Sequence, residues 1–103
     1  MIIIYNYDFS DEKVVFESRN NFIEFAKKEM FLNILITNKN ILLFRDIKKD
    51  SPLSGREMYI MPQYELFELI PLNKLNYEVI HNNTIINNGE VIIYNVDLDK
   101  IIE

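Results

Sequence analysis

A chain of 103 residues with 49% hydrophobic, 13% aromatic and 26% charged side chains has the size and make-up of one ordered globular domain, taken as residues 1–103, far from the disordered class. The absence of cysteine excludes disulfides, thiolate metal sites and a thiol nucleophile. A net charge of −5 removes the basic field that non-specific phosphate-backbone binding needs, so nucleic acid is not an expected partner.

The opening Met1-Ile2-Ile3-Ile4-Tyr5-Asn6-Tyr7-Asp8 lacks the basic region and long apolar stretch of a signal peptide, and no 18-residue apolar run occurs. A cytoplasmic location without membrane association is therefore expected. Ile2 to Tyr7 is β-prone, and the polar run Asp8 to Glu12 separates it from Lys13-Val14-Val15-Phe16-Glu17, which together predict an N-terminal hairpin. Ser18 is placed to cap a helix from about Arg19 to Met30. Phe22, Phe25, Ala26 and Met30 fall on one face of that helix, and Glu24, Lys27 and Lys28 on the other.

Phe31–Thr37 and Asn40–Arg45 flank Asn38-Lys39. A two-residue turn there opposes Ile36 to Ile41 and Ile34 to Leu43 on one face and Leu35 to Leu42 on the other. With both faces apolar, this hairpin is expected at the centre of the sheet, covered on both sides. Ile47 to Arg56 is the longest stretch of loop chemistry. Beyond it Glu57–Met61 and Tyr64–Ile70 read as strands about Pro62-Gln63, with Pro71 marking a strand end. Asn82-Asn83 and Asn88-Gly89 predict two tight turns of a three-strand meander, with Val79, Ile86 and Val91 on one face and Ile80, Ile85 and Ile92 on the other. Asp97 caps a final helical turn carrying Leu98, Ile101 and Ile102. The sum is an α+β fold: a mainly antiparallel, strongly bent sheet or small rolled barrel of about seven strands, with one main helix and a short C-terminal helical turn.

The charge is unevenly placed. Residues 1–38 carry 4 basic and 6 acidic side chains, residues 39–56 carry 5 and 2, and residues 57–103 carry 2 and 8, so only the middle segment is positive. Arg45, Lys48, Lys49 and Arg56 supply charge there, Ser51 and Ser54 supply hydroxyls, and Gly55 permits close backbone approach, which together suit a small anionic, phosphorylated ligand. The same serines lack a nucleophile elbow, and no Walker or Rossmann spacing is present.

His81 is the sole histidine, so a histidine pair or relay within one chain is excluded, and a half-exposed strand-end role is expected for it. Asp8, Asp11 and Glu12, and separately Asp97, Asp99 and Glu103, gather carboxylates that a Mg²⁺ or Ca²⁺ enzyme would use, but without EF-hand spacing they read as solvated charge. Tyr59, Tyr64, Phe67 and Tyr77 are candidates for an aromatic platform at the rim of the core.

By subtraction the chain reads as a small non-enzymatic binding protein, with no cofactor and no catalytic or metal residues. It would occupy another protein through a sheet edge or the acidic C-terminal half. An Ile-, Asn- and Lys-rich chain of this kind suits a phage or mobile-element accessory that blocks a host machine. An anion receptor built on the 45–56 loop is the alternative, a metal-dependent carboxylate enzyme the third reading. The many apolar strand faces also suit a homodimer.

Overall fold

The computed structural model describes residues 2–47 and 64–102. Among them seven strands form one antiparallel sheet: β1 (Val14–Phe25), β2 (Lys28–Thr37), β3 (Asn40–Asp46), β4 (Tyr64–Pro71), β5 (Tyr77–Ile80), β6 (Asn83–Ile86) and β7 (Val91–Ile93). A short helix, α1 (Leu98–Ile102), follows them. Among the described residues the strand order is β4-β3-β2-β1-β7-β6-β5, with β4 and β5 outermost and the sheet open, so of the strongly bent sheet or small rolled barrel expected from the sequence the closed barrel does not form.

The largest departure is at residues 19–30, where the expected main helix is instead the hairpin of β1 and β2, the two longest strands. Ala26 and Lys27 both take positive φ (51° and 68°) and make a two-residue turn that pairs Phe25 with Lys28. A helix would have placed Phe22, Phe25 and Met30 together. The hairpin instead pairs Ile23 with Met30 on one face and Phe22 with Phe31 on the other, extending a ladder that β3 already anchors. Asn20 (φ 53°) sits in a bulge of β1 between Ser18 and Asn21, its N–H donating to Asn33 Oδ1 at 2.9 Å.

The expected N-terminal hairpin is also replaced. β1 pairs with β2 and β7, while among the described residues the first segment makes single bridges, Ile4 to Tyr7 and, in parallel, Ile4 to Tyr64 on β4. Tyr5 donates its N–H to Tyr64 O at 2.7 Å and Asn6 exchanges side-chain hydrogen bonds with the Leu66 backbone, so this segment covers part of the β4 edge.

The central hairpin has the expected register, Ile36 to Ile41, Leu35 to Leu42 and Ile34 to Leu43, and Pro71 closes β4. In the meander, Ile86 faces Val91 and Ile85 faces Ile92 as expected. The first meander turn is His81-Asn82 (φ 53° and 65°) rather than Asn82-Asn83, so Tyr77, not Val79, opposes Ile86. Because the register moves by two residues, every side chain keeps its face. The expected strand Glu57–Met61 lies outside the described residues.

Two core clusters lie on opposite faces. The first holds Ile23, Leu32, Ile34, Ile36, Ile41, Leu43, Ile86, Val91 and Ile93 with Val96 and Leu98. Asp97 caps α1 as expected, its Oδ1 accepting the Lys100 N–H at 3.2 Å. The wholly buried Thr84 fastens the same end, donating to Val96 O at 2.7 Å and accepting from Leu98 N at 3.1 Å. The second cluster, Leu35, Leu42 and Phe44, is covered by Ile2 and Ile4, with Tyr7, Phe9, Tyr64, Leu66 and Leu69 around it. No described helix is long and apolar enough to cross a membrane.

Candidate partner-binding face

Among the described residues, cover on the second face lies over β2–β4. Alternation along the strands places Phe22 and Glu24 of β1, Glu29 and Phe31 of β2, Ile92 of β7 with the following Tyr94, Asn83 and Ile85 of β6, and Glu78 and Ile80 of β5 on the rest of it. Two rows run across the strands. In the first, Phe22 lies between Phe31 and Tyr94, with ring centroids 5.4 and 5.0 Å apart, and the Tyr94 N–H donates to Phe22 O at 3.3 Å. In the second, Glu29, Glu24, Ile92, Ile85 and Glu78 are successive cross-strand partners. Phe31 is 61% exposed and Ile80 42%, whereas Leu35 and Leu42 on the same face are 1% and 0% exposed.

The charges on this part of the face are all negative. Glu24, Glu29 and Glu78 have no ion-pair partner among the described residues, whose ion pairs are Arg19 with Glu17, Lys39 with Asp11 and Arg45 with Glu65. Arg19, the nearest cation along β1, is also engaged with Tyr64, donating to its hydroxyl at 2.8 Å and lying 5.0 Å from its ring centre. Beside this surface, β5 is a four-residue edge with no strand on its outer side among the described residues.

The other candidate groups are already engaged. Glu12 accepts from Thr37 Oγ1 at 2.5 Å and Asn40 Nδ2 at 2.9 Å on one oxygen, and from Tyr7 OH at 2.6 Å on the other, which ties the first loop to the β2–β3 turn. Burial pushes the Glu12 carboxyl up, but the hydrogen bonds from Thr37, Tyr7 and Asn40, with the Lys39 charge, outweigh it and hold Glu12 below the usual carboxylate range. The hydrogen bond to Glu12, then burial and the neighbouring carboxylates, push Tyr7 up to about 12. Asp8 accepts the Ser10 N–H at 2.9 Å, and Asp99 accepts the Tyr77 hydroxyl at 2.6 Å, which raises Tyr77 above its ordinary value. No group of three or more potential metal ligands occurs among the described residues.

Of the anion-binding set, Arg45 is in β3, where its Nε donates to Glu65 at 2.8 Å and its guanidinium lies 5.6 Å from the Phe67 ring centre; Lys48, Lys49, Ser51, Ser54 and Arg56 lie outside the described residues. His81 is exposed in its turn rather than at a strand end. The aromatic platform differs from the one expected. Tyr64 belongs to the second cluster, Phe67 and Tyr77 pack on the first, and Tyr59 lies outside the described residues. A trough of about 300 Å³ between Val15, Thr37, Asn38, Leu72, Ile101 and Ile102 has no charged group among the residues lining it.

No protein-family model matches the chain, and no curated protein or solved structure is significantly similar to it.

Proposed function

We propose that the protein is a non-enzymatic binding protein that acts by occupying another protein, which it meets through the open face of β1, β7, β6 and β5. The observation that carries this reading is the coverage of one sheet face in two unequal parts, one sealed by residues 2–9 and the other leaving Phe22, Phe31, Tyr94 and Ile80 in reach of solvent. Aromatic residues concentrated on a rigid, hydrogen-bonded ladder are the usual source of binding energy at protein interfaces.

A strong bend of the sheet supports the same geometry. Phe25 and Phe67 stand on strands separated by two others, yet their ring centres are 5.2 Å apart on the side of the first cluster. The hollow side is thereby filled, and the outer side is left to a partner. A homodimer through this face would set Glu24, Glu29 and Glu78 against their own copies, so a different protein is the favoured partner. Surface occupancy without chemistry suits a phage or mobile-element accessory that blocks a host machine in the cytoplasm.

The test is site-specific photo-crosslinking in the cells that make the protein, with a benzophenone side chain at Phe31 or, as a control on a distant surface, at Lys13. A discrete adduct from position 31 and none from position 13 is expected. Equal yields, or none from either, would reject the open face as the binding surface.

A further inference from the structure

Resting on the open face as the docking surface, we infer that its partner is a basic polypeptide segment whose lysine or arginine side chains lie along the aromatic row and end between Glu24 and Glu29. Those two glutamates are direct cross-strand partners, one half-buried and one exposed, and like charges directly opposed on one face destabilise a sheet. Neither forms an ion pair among the described residues, although Lys27 and Lys28 lie at the adjoining turn. Glu78, in the same row, repeats the sign three strands away, roughly 14 Å at the usual inter-strand spacing.

The adjacent row supplies the other half of the recognition. Phe31, Phe22 and Tyr94 are one step along the strands from Glu29, Glu24 and Ile92, so a long basic side chain crossing from one row to the other rests its stem and cation on ring faces before it reaches the carboxylates. Ile92 and Ile85, between Glu24 and Glu78, offer an apolar seat for the alternate side chains of an extended segment. An acidic or uncharged segment would leave the Glu24–Glu29 opposition unrelieved.

Nuclear magnetic resonance of the isotope-labelled full chain tests this with three short acetylated and amidated peptides: one alternating leucine with lysine and arginine, and two in which glutamine or glutamate replaces the cations. The basic peptide is expected to shift the resonances of Phe22, Glu24, Glu29, Phe31 and Tyr94, and the glutamate peptide to leave them in place. The double variant Glu24→Gln, Glu29→Gln is expected to bind the basic peptide about tenfold more weakly and to unfold at slightly higher urea concentration, because the opposition is gone. Equal binding of the glutamine peptide, unchanged affinity of the double variant, or basic-peptide shifts clustered elsewhere would overturn the inference. Glutamine-peptide binding on this same face would overturn only the charge preference, whereas absence of the position-31 crosslink rejects the docking surface itself.

Discussion

The two halves of the second sheet face share β2 and otherwise lie on different strands, and they differ in what alternates along them. Over β2–β4 the outward positions are Leu35, Leu42, Phe44, Leu66 and Leu69, and a polar-tipped N-terminal segment is pinned over them by Glu12, Tyr7 and Asn6. Along β1, β2 and β5 aromatic or isoleucine side chains alternate with glutamate, β7 and β6 add Ile92 and Ile85 between them, and no described segment crosses these positions. Uninterrupted apolar positions require a cover, whereas apolar rows broken by carboxylates remain soluble while keeping contact area for a partner. The contrast places the packing in one half and, on the proposed function, the binding surface in the other.

Substitutions should separate the two. Leu42→Ala, at a wholly buried position, removes packing between β3 and the covering segment and should cost about 2–5 kcal/mol in urea unfolding. Thr37→Val leaves Glu12 short of a donor and the turn amides of Lys39 and Asn40 without their acceptor; a cost of about 1–3 kcal/mol is expected by the same measurement. Phe31→Ser in the open half should cost no more than about 1 kcal/mol, the worth of its cross-strand pair with Phe22, and still abolish partner binding, read as loss of a crosslink from a neighbouring benzophenone at Ile80.

Two titrating groups, Glu12 and Tyr7, tie protons to the covered half. The folded Glu12 value is depressed, so its contribution is complete above the unfolded value and is lost as pH falls through the depressed one. The folded Tyr7 value is raised, so its contribution is complete below pH 10.0 and is lost as pH rises through about 12. Methyl resonances of Leu35, Leu42 and Leu66 should therefore report loosening at both extremes.

The parts legible in the sequence were those where turn chemistry and alternation agree. Asn38-Lys39 fixed the central hairpin, Asn88-Gly89 the second meander turn and Asp97 the final cap. The β1–β2 hairpin was not legible, because its turn is Ala26-Lys27, two residues that do not advertise positive φ, and because Phe22, Phe25, Ala26 and Met30 also match a helical stripe. That one misreading hid the aromatic row, since a helix points Phe22 inward and the hairpin turns it outward beside Phe31. The alternation Phe22-Ile23-Glu24-Phe25 against Lys28-Glu29-Met30-Phe31-Leu32 was the available signal. The shifted turn at His81-Asn82 changed partners but no faces, so the acidic and apolar rows of β5 and β6 survived it.

The central claim, one face half sealed and half open, is tested most directly by adding a soluble paramagnetic relaxation agent to the methyl- and aromatic-labelled full chain. The account predicts strong broadening of Phe31 and Ile80, partial broadening of Ile85 and Ile92, and sharp signals from Leu35, Leu42 and Leu69. Equal protection of both halves, or broadening of Leu35 and Leu42, would contradict it.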